Sequence, residues 1–254
     1  MAYKLFLSIL FILLIEFKLC ASPTLLGDDG FINTPSAKVL KDRKANIGIA
    51  YLPGKSSLIY TGTDNLVYSL FFGFLPRTEV GLVYNQIFTG KRDRDNPYLS
   101  TSFFDRSVHV KFQFLEESNF IPALSIGGRD IFSNSVLNPR DNIVITSHQQ
   151  AFYIVIGKEI FNTKLNLGYS YAPDLPIGVT SNKAYSYVNR SFRMNGIFFA
   201  IQSPKIFNTS FILEYDSKNI NYGIDLEAIQ NFNIKLSMVN LVNFNIRINW
   251  NPNL

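Results

Sequence analysis

Asn243-Phe244-Asn245-Ile246-Arg247-Ile248-Asn249-Trp250 is the stretch whose reading decides the fold. Its even positions are Phe, Ile, Ile and Trp, and its odd positions are Asn, Asn, Arg and Asn. Successive side chains of an extended strand point to opposite faces, so a period of two sorts these residues into one apolar face and one polar face. The same scheme recurs just upstream. Phe232, Ile234, Leu236 and Met238 oppose Asn231, Asn233, Lys235 and Ser237, and Ile220, Tyr222, Ile224 and Leu226 oppose Asn221, Gly223, Asp225 and Glu227. Further back, Leu165, Leu167, Tyr169 and Tyr171 alternate with Lys164, Asn166, Gly168 and Ser170; Val108, Val110, Phe112 and Phe114 alternate with Ser107, His109, Lys111 and Gln113.

About a dozen such segments are expected, near 44–52, 65–74, 78–89, 105–115, 121–130, 149–160, 163–171, 193–202, 207–216, 219–227, 231–239 and 241–250. Many are about ten residues long, the length a tilted strand needs to cross a bilayer. The connections alternate in length. Those near 74–78, 116–119, 161–162, 203–206 and 228–230 are short, while 53–64, 90–104, 131–148 and 172–192 are long. The last two on the long side, at Ser217–Lys218 and near Asn240, are short as well. Short periplasmic turns facing longer outer loops, on strands that are apolar outside and polar inside, are the pattern of an outer-membrane barrel. The expected fold is therefore all-β: an antiparallel transmembrane β-barrel of about twelve strands in a bacterial outer membrane. An even strand number lets both ends of the chain lie in the periplasm.

Composition agrees. The chain has 254 residues, 23 Phe and 13 Tyr, 17% charged residues and a mean hydropathy of +0.09. That is too apolar and aromatic for disorder, yet past residue 20 no apolar run is long enough for a membrane-spanning helix. Met1 to Lys4 carry one positive charge, Leu5 to Ile15 are apolar, and Leu19-Cys20-Ala21 precede Ser22 and Pro23. This reads as a signal peptide over 1–21 with cleavage after Ala21; an uncleaved anchor and lipidation at Cys20 are the alternatives. Cleavage would remove the single cysteine, and with it any disulfide. Removing Lys4, Lys18 and Glu16 takes 24 basic and 19 acidic residues to 22 and 18. A net charge of +4 spread along the chain gives no reason to expect nucleic acid as a partner.

The chain then divides into an N-terminal segment over 22–43, which has no alternation, and a barrel over 44–254. Within the segment, Gly30-Phe31-Ile32-Asn33-Thr34-Pro35-Ser36-Ala37 is followed by Val39, Leu40 and Asp42. Elsewhere stand Pro76-Arg77-Thr78-Glu79-Val80-Gly81-Leu82, then Asp105 to Glu117 running into Pro122 to Asp130, and Glu214-Tyr215-Asp216 ahead of Asn219 to Gly223. In order and spacing these stretches resemble the YjbH family of outer-membrane proteins associated with exopolysaccharide and capsule-type secretion. The resemblance spans most of residues 27 to 227. It departs at Arg43, where the family usually has Gly, and many relatives are far longer, which would make this chain a single-barrel version.

The resemblance implies a part in exopolysaccharide biosynthesis or export, as a passage or docking platform, with membrane lipid, polysaccharide and periplasmic or lipoprotein export components as partners. The alternatives are a general or solute-specific channel and a structural barrel that recruits periplasmic lipoproteins. Two readings stand for the motif residues Gly30, Asn33, Pro35, Ser36 and Ala37. They either tuck into the lumen or periplasmic mouth as a gate or docking element, or form a structured turn fixed by Pro35 and Gly30. Arg129 and Asp130, expected to end a strand at an outer loop, either bind sugar hydroxyls or form a rim ion pair. Glu79, Lys111, Glu214, Asp225, Glu227 and Lys235 point inward by parity, as a mixed-charge network or a solute-selecting lining. Of the two histidines, His109 faces the lumen and His148 lies in a long loop, and no metal spacing, phosphate loop or nucleophile elbow occurs. No enzyme activity, metal or cofactor is expected.

Overall fold

The computed structural model describes residues 22–54, 64–88, 102–135, 150–173 and 194–252. Its twelve strands are β1 (Ala45–Leu52), β2 (Asp64–Gly73), β3 (Thr78–Phe88), β4 (Ser102–Leu115), β5 (Ala123–Ser135), β6 (Ala151–Ile160), β7 (Thr163–Tyr171), β8 (Gly196–Gln202), β9 (Thr209–Tyr215), β10 (Ile220–Ile229), β11 (Phe232–Val239) and β12 (Asn243–Trp250). Each pairs antiparallel with its neighbour in sequence. The ring closes between β1 and β12, from Ile47 opposite Trp250 to Tyr51 opposite Ile246. Closure leaves no edge strand.

The strand at 243–250 shows which way the wall faces. Phe244 and Ile248 are 53% and 50% exposed, while Asn245, Arg247 and Asn249 are 0% exposed. Ile49, Leu82, Ile154, Leu167 and Phe211 also point outward. A belt of this kind inverts the arrangement of a water-soluble protein. Leaving apolar surface in water costs about 25 cal/mol per Å², and soluble monomers rarely expose contiguous apolar patches beyond a few hundred Å². Lipid around the belt removes that cost, and the ring meets the backbone's hydrogen-bonding needs internally. The molecule is a transmembrane β-barrel.

Strand ends agree with the sequence expectation to within three residues except at the end of β5, which runs to Ser135 rather than stopping at Asp130. The cause is a bulge. Val108 of β4 pairs with Phe132, but Val110 pairs with Gly128, so β5 carries two extra residues over that step. Asp130 has a positive φ there, and the consecutive residues Arg129 and Asp130 are both buried. The expected placement of this pair at the start of an outer loop is thus corrected: it sits within the wall and faces inward.

Connections 74–77, 116–122, 161–162, 203–208 and 230–231 are short and share one end of the barrel, where β1 begins and β12 finishes. At the other end, 216–219 and 240–242 are also short. Most of the four longer connections, His148 among them, falls outside the described residues, as does the signal peptide expected over 1–21.

The core lies inside the ring, and residues 22–43 supply much of it. Leu25, Leu26, Phe31, Ile32 and Leu40 cluster with Ala50, Leu52, Val67, Phe71, Val83, Ala200, Ile212 and Val239 of the wall. A second cluster joins Ala37 to Ala123, Tyr153, Val155, Met194 and Phe198. The segment enters at the short-turn mouth, where Asp42 bridges to Gly73 in parallel and Lys44 N–H bonds back to the Lys41 carbonyl at 3.0 Å. Two glycines make the fit possible. A Cβ on Gly73 would lie 2.1 Å from the Lys41 carbonyl oxygen, and Gly27, at φ +109°, turns the chain where a Cβ would meet Ser69 at 2.4 Å.

Candidate functional site: a polar lumen that grips the N-terminal segment

The segment folds on itself before it meets the wall. Leu25 N–H bonds to the Ile32 carbonyl at 2.7 Å, Phe31 N–H to the Thr34 carbonyl at 2.9 Å, and Pro23 and Gly30 form isolated bridges with Asp29 and Pro35. The Gly30–Ala37 motif is therefore a compact turn inside the lumen, which combines the lumen placement of one reading with the structured turn of the other. Ser36 N–H reaches the Asp29 carbonyl at 2.9 Å, and the Ala37 carbonyl accepts from Ser125 Oγ at 2.5 Å.

A turn leaves backbone groups unpaired, and burying them unsatisfied would cost about 1–3 kcal/mol apiece. The wall supplies partners. Glu214 of β9 accepts from the backbone N–H groups of Ile32 (2.9 Å), Asn33 (2.8 Å) and Thr34 (2.9 Å), from Thr34 Oγ1 (2.8 Å), and from Asn221 Nδ2 (2.8 Å). Glu79 of β3 accepts from Asp29 N–H at 3.1 Å and Leu40 N–H at 2.9 Å. It also pairs with Lys111 at 3.3 Å, whose Nζ donates to the Asp29 carbonyl at 2.9 Å. Lys235 Nζ donates to the carbonyls of Pro23, at 2.5 Å, and Phe31; Arg247 Nη1 donates to that of Leu25 at 3.0 Å.

Arg129 anchors the segment through a buried ion pair. Its Nη2 lies 2.6 Å from Asp28 Oδ2 and its Nε 3.1 Å from the same oxygen, while Nη1 reaches the Asn33 carbonyl at 2.5 Å. Arg129 and a 2.5 Å hydrogen bond from Thr24 Oγ1 provide the buried Asp28 carboxylate with partners. Asn33 Nδ2 continues to Asp216 at 2.9 Å, in the turn after β9, so the segment spans the lumen from the short-turn mouth to the opposite end.

At the short-turn mouth, Lys38 bridges Glu159 at 2.9 Å and Glu117 at 3.1 Å. Burial works against the charge of Lys38, but the hydrogen bonds it donates to both carboxylates raise its pKa. Burial likewise disfavours the Glu117 carboxylate, yet the Glu159 backbone N–H and the Lys38 ammonium pull its pKa down. These groups border an open cavity of about 1120 Å³ that Lys41, Arg77, Glu116 and Lys158 also line.

Of the residues singled out in the sequence, Arg129, Glu79, Lys111, Glu214 and Asp225 all bind residues 22–43, Asp225 through a 2.5 Å bond from Ser22 Oγ. Asp130 lies buried at the bulge, and Glu227 pairs with Lys205 at 2.7 Å instead. Sequence reading missed Asp28, Asp29 and Arg247. Arg247 carried the signal, since a buried-face arginine in a strand of asparagines calls for an acceptor. His109 is buried against Phe71, with Ser107 Oγ 3.2 Å from Nε2, while Nδ1 has no hydrogen-bond partner. Among the described residues no group of His, Cys, Asp and Glu is placed to hold a metal.

No curated protein matches the chain. Among solved structures, the outer membrane phospholipase A of Escherichia coli is 10% identical, covers 85% of this chain and 99% of its own, and superposes with a TM-score of 0.39. A dimer of the Salmonella typhi outer membrane phospholipase with bound calcium is 12% identical, with coverages of 82% and 90% and a TM-score of 0.36. Likeness at this level carries nothing about activity. The family match is far more extensive: residues 22–252, which include the lumen segment and all twelve strands, match the family described as exopolysaccharide biosynthesis protein YbjH, and the chain belongs to that YjbH family.

Proposed function

We propose that this protein serves exopolysaccharide biosynthesis in the bacterial outer membrane as a closed docking platform rather than an open passage. One observation carries the choice: residues 22–43 occupy the lumen and use its charged groups, so the side chains that would line a glycan path are already bound to the chain itself. In this reading the short turns face the periplasm, and the charged cavity at that mouth receives an export component or lipoprotein. A general channel is the weaker reading for the same reason. Catalysis is not proposed either, since the Ser107–His109 contact lacks an orienting group on Nδ1.

A plug locked in place separates docking from passage. Ala37→Cys with Ser125→Cys would join the segment to β5 at an existing contact. Surface polysaccharide should persist with the disulfide formed, and the purified protein should stay non-conducting in planar bilayers. Polysaccharide that is lost on oxidation and restored by a reductant would establish passage instead.

A further inference from the structure

Ser22 is an odd place for a chain to continue from. It is 3% exposed, and Asp225, its partner in the middle of β10, is buried too. Its carbonyl accepts from Gly30 N–H at 2.9 Å, so the residue is pinned from both sides.

The surrounding charges are uneven. The buried set of described residues contains eight carboxyl groups, of Asp28, Asp29, Glu79, Asp105, Asp130, Glu214, Asp216 and Asp225, against four cations, of Lys111, Arg129, Lys235 and Arg247. Asp225 lies opposite Lys235, but that ammonium donates to the carbonyls of Pro23 and Phe31. Oδ2 of Asp225 takes the Ser22 hydroxyl, whereas Oδ1 is buried with no hydrogen-bond partner. A buried carboxylate oxygen with no hydrogen-bond partner calls for a charged donor.

We propose that Ser22 is the first residue of the folded protein and that its α-ammonium is the ligand of Asp225 Oδ1. A leader-removing hydrolase would supply it. Water adds to the Ala21 carbonyl, the Ala21–Ser22 C–N bond breaks, Ala21 departs as a carboxylate, and the Ser22 nitrogen takes up protons to become –NH₃⁺. The new cation offers three donors, where an uncut peptide N–H offers one and no charge. Processing thus creates the group that seats the start of the segment. This inference concerns the seating of the chain and holds whichever role the barrel plays in polysaccharide output.

The test uses the full-length protein purified from membranes. Peptide mapping should find an N-terminal peptide that begins at Ser22. A water-soluble acetylating reagent should modify its α-amine at least tenfold more slowly in the folded barrel than after denaturation. Asp225→Asn should raise the folded-state rate several-fold, while Ser22→Ala, which keeps the amine and removes only the hydroxyl, should leave it protected. A different first residue, or equal rates folded and unfolded, overturns the proposal. Protection that survives intact in a folded Asp225→Asn barrel removes Asp225 as the ligand. If that variant does not fold, the comparison of folded and denatured wild type still decides whether the amine is buried.

Discussion

Deep in the lumen, Arg129 and Glu214 hold the segment through a bidentate ion pair and a carboxylate that gathers three successive backbone N–H groups, all buried. At the short-turn mouth, Lys38 holds it through two carboxylates, and its own side chain is 44% exposed. The contacts have similar lengths and different weights. A buried charge that loses its partner has no water to turn to, whereas one at the mouth is rehydrated at once. Distance alone would rank the two levels equally. Solvent access separates them.

The sharpest way to break that comparison is Arg129→Met, which leaves Asp28 buried and unpaired. It should cost about 3–5 kcal/mol of segment docking, read as loss of hydrogen-exchange protection across 24–34; protection that stays intact would show that the buried anchor is dispensable. A wall substitution supplies the reference. Ile246→Arg puts a cation on the lipid face and should lower folding stability by about 2–4 kcal/mol. Asn245→Arg, one residue away, faces a packed lumen and should cost about 1–3 kcal/mol through overpacking, with the loss read as exposure of the segment rather than unfolding of the wall. Equal behaviour of these two in a folding titration would mean the two faces of β12 are misassigned.

The mouth should give the smallest effects. Lys38→Met is expected to change docking by no more than about 1 kcal/mol, with exchange increased only near residues 36–42. Its pH dependence has a fixed sign. The pKa of Glu117 is depressed below its ordinary 4.5, so its contribution is complete above that value and is lost as pH falls through the lower, folded-state value. The pKa of Lys38 is raised, so its contribution is complete below 10.5 and fades only above that. Protection factors near 36–42, which are corrected for the intrinsic pH dependence of exchange, should therefore be flat across neutral pH and fall in acid. A change in protection between pH 6 and 8 would point to a different titrating group.

The wall was legible in the sequence because two environments impose the same period. Lipid requires Phe244, Ile246 and Ile248 on one side, and the lumen requires Asn245, Arg247 and Asn249 on the other. The bulge at Arg129 escaped because it puts two consecutive residues on one face, and alternation then reads as a strand end. The candidate site was half legible. Parity put Glu79, Lys111, Glu214 and Asp225 inside the ring, but nothing local says what they hold. Ile32 and Glu214 are 182 positions apart, and the segment between Ser22 and Arg43 draws its order from such distant contacts rather than from any repeat of its own.

The short turn between Lys41 and Lys44 ties the segment directly to the first strand of the wall. A ligand on so short a tether is never diluted: once out of the lumen, it remains at an effective concentration on the order of millimolar to its own site. Any molecule that draws it out competes with that local excess at every moment and must hold what it has displaced. An open barrel would then last only as long as such a competitor stays bound, and would reseal without synthesis of a new chain.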